Sequence, residues 1–453
     1  MTAEDRSSRQ LTVAALGTFL SLVAFTLPVA ALNPIATALG SGAAGRTWIL
    51  SSMSVGLGAA LLSSGTVSDD FGRRRTFGAG LLVLALGSVL SAVATGTLFF
   101  VLARVVQGVG AAAVIASSLG IIAACFPPGP RRAAASGVWG ASVGAGIAVG
   151  PLLSAGLDVL HSWRDSYWVL AVASLVIAAA ARREVVESRS EEERRLDAPG
   201  VLLLAVGMSA LLAALVEGRL DWNAPEAVVL ALVAVVLLVG FVVVENRTRA
   251  PMLDLSLLRH PPFLAATLAA LATGAGVIAL MSFLSGFLGL ALHESAMTAA
   301  VLLLLWSATS VVTALLARRI PASVPGRAQL AGSLLGVAVG QALTLGVTTS
   351  STWAHFVPGL LVAGVASGFL NAALGREAVA SVPPGRGSVG SGANNTARYV
   401  GSALGVTVVS VVATRVPTPA GLVAGWNHAT LVTVSVSVVG ALVVLASRAR
   451  RTA

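Results

Sequence analysis

Residues 65–77 read GTVSDDFGRRRTF, a short polar stretch between two long apolar runs. Two antiparallel helices must reverse here within a few residues. Gly72 allows the turn, Gly65 permits close backbone approach, and Asp69 can pair with an arginine or sit against a helix N-terminus. Arg73, Arg74 and Arg75 by themselves would be a basic anchor on the cytoplasmic side of a membrane. The spacing Gly65-x3-Asp69-x2-Gly72-Arg73 is far more specific than that.

Working outward from this turn, the 453 residues are 56% hydrophobic and 11% charged, with a mean hydropathy of +0.89. Soluble domains carry roughly a quarter charged residues and cannot hide so much apolar surface in one core. Lipid is therefore the expected solvent. The 48 glycines suit helices packed backbone to backbone in a bilayer. A net charge of +10 would suggest nucleic acid in a soluble protein. Here basic cytoplasmic loops account for it, and no nucleic acid partner is implied. Cys125 is the single cysteine, which excludes an intramolecular disulfide and a cysteine metal cluster. His161, His260, His293, His355 and His428 are scattered without metal-ligand spacing, so no metal or cofactor is expected.

Cutting at charged and Pro/Gly-rich joints predicts helical spans at 11–33, 47–67, 76–95, 97–119, 133–156, 166–181, 199–217 and 227–244. Six more follow at 263–285, 296–317, 328–347, 353–377, 387–411 and 425–446. The run from Leu11 to Gly45 is uncharged and longer than a signal-peptide core, so it reads as a retained first span. With the N-terminus inside, 22 of the 29 basic residues, all arginine, fall in cytoplasmic segments and four in external ones. Arg104, Arg376 and Arg398 fall within spans. The expectation is an all-α membrane protein with fourteen transmembrane spans and both termini cytoplasmic.

A shift of 255 residues pairs Arg131 with Arg386, Ser136 with Ser391, Gly137 with Gly392, Gly146 with Gly401 and Gly150 with Gly405. FPPG at 126–129 likewise matches VPPG at 382–385. These segments open the fifth and thirteenth spans, which suggests a duplicated six-span half. The expected organisation is a six-span half at 1–182, a charged cytoplasmic linker at 183–198 and two inserted spans at 199–245. A second linker at 246–262 and a second six-span half at 263–453 complete it.

The turn at Gly65–Arg75 resembles the signature G-x-L-a-D-r-x-G-r-k of the major facilitator superfamily, with Asp70 standing where that family often has Arg and Val67 where it has Leu. The resemblance implies a cytoplasmic charge lock between Asp69 and Arg73. RVVQGVGAAA (104–113) is similar to the family's second signature at Arg104, Gln107, Gly108, Gly110 and Ala111. A charge within a span costs at least a few kcal/mol, so Arg104 must face the bundle interior or water, and Gln107 and Gly108 share its face. Two roles stay open for it: proton movement, as the resemblance implies, or a structural arginine bonded to backbone carbonyls. GASVGAGIAVGP (140–151) resembles the glycine–proline signature of exporters at Gly146, Gly150 and Pro151. Its steps of four also suit close helix packing, whatever the direction of transport.

The segment ALGREAVASVPPGRGSVGSGANNTARYVGSALGV (373–406) resembles the fourteen-span drug:proton antiporter branch, as do LDAPG (196–200) and RAPMLDLSLLRH (249–260). Asn394, Asn395 and Arg398 form a polar patch in an otherwise apolar span. With Arg104 and Gln107 they are the expected lining of a substrate cavity. That branch commonly carries an Asp in the first span, and this chain has Ala24 there, in VAFTLPVAALNPIA (23–36). Arg104, Glu377 and Asp158 are the remaining candidates for proton coupling. Two arginines without an obvious buried acid point to neutral or anionic cargo.

No nucleophile–base pair, phosphate loop or metal cluster suggests an enzyme. The expectation is a proton-coupled exporter of drugs, antibiotics or secondary metabolites, working as a monomer in the plasma membrane. An uptake symporter and a transport-inactive scaffold or sensor are the alternatives.

Overall fold

Hydrocarbon leaves a chain this apolar only closed backbone hydrogen bonding, and the computed structural model is helical nearly throughout. It describes residues 3–191, 197–219, 221, 223–248, 251, 253–321, 323–416 and 418–447. In chain order the long helices are α1 (Ala3–Ala38), α2 (Ala43–Phe71), α3 (Arg73–Ala92), α4 (Thr97–Cys125), α5 (Pro130–Leu160), α6 (Trp163–Glu184), α7 (Ala198–Gly218) and α8 (Pro225–Arg247). They continue as α9 (Pro261–Ala291), α10 (Ala296–Leu316), α11 (Gly326–Ala342), α12 (Val357–Ala380), α13 (Gly387–Ala413) and α14 (Pro419–Ala446). Among the described residues there is no strand.

Each expected span falls on its own helix, with two instructive differences at the ends. The sixth, expected at 166–181, runs from Trp163 to Glu184, because the Ser162 side chain caps it by accepting from the Arg164 N–H at 3.2 Å. The eleventh, expected at 328–347, stops at Ala342. Asn427 Oδ1 accepts from the N–H groups of Gly346 and Val347, and Gly346 takes φ +75°, so the chain is drawn out of the helix there. Among the described residues, thirteen helices are long and apolar enough to cross a bilayer, while α11, with 17 residues, covers about 26 Å at 1.5 Å per residue. The linkers expected at 183–198 and 246–262 lie partly outside the described residues, at 192–196 and at 249, 250 and 252.

One end of the bundle collects the basic residues. Arg9 at the start of α1 lies 3.4 Å from Glu184 at the end of α6. Arg74 and Arg75, after the α2–α3 turn, each lie 3.7 Å from Glu187. This basic end is also where α13 begins. Helices α1–α6 bury a core around Phe77, Phe100, Trp139 and Tyr167, and α9–α14 bury another around Phe287, Phe356 and Trp426. Between these halves, α2 and α4 pack against α13, and α5 packs against α10 and α12.

Helix α7 rests on both α2 and α13, and α8 packs mainly on α7. Val229, Leu232, Val235, Val236 and Val239 of α8 are all exposed, a continuous apolar face suited to lipid tails. Where α7 ends, Arg219 reaches Ser51 Oγ on α2 at 3.1 Å and Thr407 Oγ1 on α13 at 3.4 Å. Burial brings its guanidinium down to about 10.

Candidate functional site

Asp69 and Arg73 face each other one helical turn apart across the Gly72 corner, where φ is +123°. Arg73 Nε donates to Asp69 Oδ1 at 2.9 Å, and both side chains are buried. The carboxylate is shared with the opposite half: the N–H groups of Ser388 and Val389, in the first turn of α13, donate to its two oxygens at 3.2 and 2.9 Å. A carboxylate at a helix N-terminus satisfies donors that have no intrahelical partner and complements the helix dipole. Arg73 Nη2 also crosses to the Gly385 carbonyl at 2.7 Å. Asp70, the departure from the family form, is answered across the interface by Arg386 at 2.6 Å. An ion pair between the halves therefore stands beside the Asp69–Arg73 pair, which lies within one half.

Glycines make this contact possible. A Cβ on Gly65 would lie 2.5 Å from the Ser388 carbonyl oxygen, and one on Gly120 of α4 would run into Ser388 Oγ. The segment after α6 closes over the turn. Ser190 N–H donates to the Asp69 carbonyl at 2.6 Å, Arg73 N–H donates to Ser188 O at 2.9 Å, and Glu187 accepts from the Arg74 N–H at 3.0 Å. Sequence reasoning did not find this strap, because short serine-rich loops carry no signature. Arg75 stays largely exposed, 3.7 Å from Glu187.

Arg104 is fully buried between α1 and α4. Its Nη1 donates to Ala24 O and to Gln107 Oε1, both at 2.7 Å, and its Nη2 to Phe25 O at 3.2 Å. Gln107 Nε2 passes the chain on to Ser88 Oγ at 2.7 Å. The cause lies in α1. Pro28 has no N–H, so the Ala24 carbonyl loses its normal i+4 donor, and the guanidinium supplies one.

Gly146 and Gly150 bring α5 onto α1. A Cβ on Gly146 would lie 2.5 Å from Phe19 O, and one on Gly150 would meet Thr26 Oγ1. The neighbouring face of α5 meets the other half, since a Cβ on Gly140 would lie 2.9 Å from Ala372 N. Gly146→Leu is accordingly expected to lower the thermal midpoint of the purified protein, overpacking costing roughly 1–3 kcal/mol. An unchanged midpoint would mean that α1 and α5 do not need this approach.

Between the halves lies a cavity of about 130 Å³, walled by α1, α5, α9, α10, α12 and α13. Drug-sized ligands need pockets of roughly 300–1,000 Å³, so the halves or the lining side chains must part further to admit one. Arg398 and Tyr399 of α13 contribute to the wall, with Asn371, Ser367, Trp306 and Phe25. Pro151 is also in the wall. The opposing part of α9 has a π-helical turn, Thr273–Ile278, with Gly274 pressed against the Arg398 carbonyl. Such turns recur at functional sites because they re-aim side chains.

Of the five side chains expected in the cavity, Arg398 is in the wall and the other four are not. Arg104 and Gln107 lie behind α1, held by the carbonyls and Ser88 described above. Asn394 is turned to α9, donating to Ala266 O at 2.9 Å. Asn395 donates back to Ser391 O at 3.0 Å, and its own Oδ1 is buried without a hydrogen-bond partner. Glu377 is paired with its neighbour Arg376 at 2.9 Å near the basic end of α12, against the start of α11. Asp158 is half-buried in the last turn of α5, at the opposite end of the bundle. No group of three or more metal-binding side chains occurs among the described residues.

Two helical halves enclosing a central cavity, drawn together at one end by charged turns, define a membrane transporter of small molecules rather than an enzyme. Residues 14–406 match the Major Facilitator Superfamily, and the chain belongs to that family. It is 32% identical over 390 residues to the puromycin resistance protein pur8 of Streptomyces alboniger, covering 85% of this chain and 77% of that protein. It is 29% identical over 421 residues to the multidrug resistance protein Stp of Mycobacterium tuberculosis, covering 92% of this chain and 76% of the relative. The solved proton:xylose symporter XylE has the same fold, with a TM-score of 0.70, 15% identity, and coverage of 97% of this chain and 95% of that one. A multi-pass plasma membrane protein follows.

Proposed function

We propose that the chain exports drugs, antibiotics or secondary metabolites from the cytoplasm, its halves rocking about the central cavity while protons return. Fourteen crossings with both termini and the basic end in the cytoplasm give the orientation that the arginine distribution favours. The observation that carries the reading is a cavity between two halves whose basic ends are joined by Asp69, Arg73 and the start of α13. Alternating access needs one such separable end on each side of a shared site. Relatives named for puromycin and multidrug resistance support the outward direction and the breadth of cargo. Helices α7 and α8 read as an insertion between the halves. One chain contains the whole cavity, which supports a working monomer. Proton antiport is the coupling that the family resemblance implies, with Arg104, Glu377 and Asp158 as its candidates.

Everted vesicles, with the cytoplasmic face outward, test this. Carrying the chain and an acidified lumen, they are expected to take up aromatic antibiotics or dyes several-fold faster than vesicles without it. A protonophore should reduce that uptake. Transport confined to right-side-out vesicles and driven by inward protons would make the chain an importer.

A further inference from the structure

We infer that the cargo is an organic anion with an aromatic or apolar body, held by Arg398 and drawn outward by the membrane potential; this rests on the export reading above. Arg398 is the one charged side chain among the described residues of the cavity wall, which has no carboxylate and no histidine. It is 4% exposed, joins no ion pair among the described residues, and its Nε is buried without a hydrogen-bond partner. A guanidinium kept from water without a counter-ion is costly, and an anionic ligand relieves that cost through paired N–H donors.

The rest of the wall fits the body of such a ligand. The Tyr399 ring centroid lies 5.7 Å from Arg398 Cζ, and Phe25 meets Tyr399 edge to face at 5.6 Å. Trp306 and Met281 add apolar surface, and Asn371 a neutral polar group. Immediately behind Phe25, Arg104 adds a second buried positive charge, bonded to the Phe25 carbonyl and without an ion pair among the described residues. A cationic ligand would meet two like charges and no acid to offset them, which is discrimination by repulsion.

The charge of the cargo also sets the driving force. A monovalent anion leaving a cell that is negative inside moves down the electrical gradient, with a limiting accumulation ratio of about fiftyfold per 100 mV. A proton returning in exchange moves charge in the same electrical sense and adds to the drive. Exchange of a monovalent cation for one proton would be electroneutral and indifferent to the potential.

Carboxyfluorescein and rhodamine 123 share a xanthene frame and differ in charge, which makes them the probes. Everted vesicles carrying the full chain are given a lumen-positive potassium diffusion potential with no pH gradient. Carboxyfluorescein uptake is expected to exceed rhodamine 123 uptake at least tenfold. Arg398→Gln should remove that preference, and Arg398→Lys should keep part of it. Carboxyfluorescein should also raise the thermal midpoint of the purified wild-type protein and not that of Arg398→Gln, so a poorly inserted variant does not decide the matter. Preference for rhodamine 123, transport that responds only to a pH gradient, or an Arg398→Gln protein that still prefers the anion would overturn the inference and leave export standing. Uptake of neither dye under either gradient would remove the export reading along with it.

Discussion

A Ser68→Cys/Ser388→Cys pair in a Cys125→Ser background is expected to form a disulfide on mild oxidation and to reduce transport to background, with recovery on reduction. The two hydroxyl oxygens are 3.0 Å apart, both residues are buried, and they belong to α2 and α13 in opposite halves. That separation is compatible with the Cβ–Cβ distance of about 3.5–4.5 Å that a disulfide requires. Without the cross-link, the end is held by the shared Asp69 carboxylate and the Asp70–Arg386 pair. Such contacts can be rebalanced by cargo, because about 5.5 kcal/mol moves a two-state population from 1:99 to 99:1. A covalent bond cannot be rebalanced in this way. Peptide mapping establishes that the bond has formed, and each single cysteine variant reports the effect of substitution alone. Undiminished transport by fully cross-linked protein would mean that the basic end never opens.

What the sequence made visible is what is expensive in a membrane. The spans were legible because hydrocarbon tolerates few charges, Arg104 and Arg398 because each departs from that rule, and Asp69 and Arg73 because their spacing with Gly65 and Gly72 marks the turn between two spans. The environment of each residue was less legible. Arg104 was expected to face the bundle interior or water, with a bond to backbone carbonyls as one open role; which carbonyl was not legible, because Ala24 O lacks a helical donor only through Pro28, 76 positions earlier. Asp70 looked like a flaw in a signature until Arg386 was placed beside it. Asn371, Ser367, Trp306 and Phe25 were missed, because neutral and aromatic side chains are common in spans and are made special only by six helices converging. Polarity marked Asn394, and packing turns its side chain toward Ala266.

Arg104→Met is expected to cost about 2 kcal/mol of stability, the scale of a buried carbonyl left without its donor. Adding Pro28→Ala should recover part of that loss, because the alanine N–H can close the ordinary helical bond to Ala24 O. The double variant should therefore be more stable than the sum of the singles predicts, by about 1 kcal/mol, within the range of residues sharing a partner. Thermal midpoints of the four proteins in one detergent measure this. The cycle separates two roles that a transport assay alone would confuse. Loss of export by an unstable Arg104→Met protein, restored together with stability by Pro28→Ala, assigns the guanidinium to holding the bend of α1 against α4. Additive midpoints, with export lost at full stability and its pH dependence altered, would instead place Arg104 in the coupling of protons to transport.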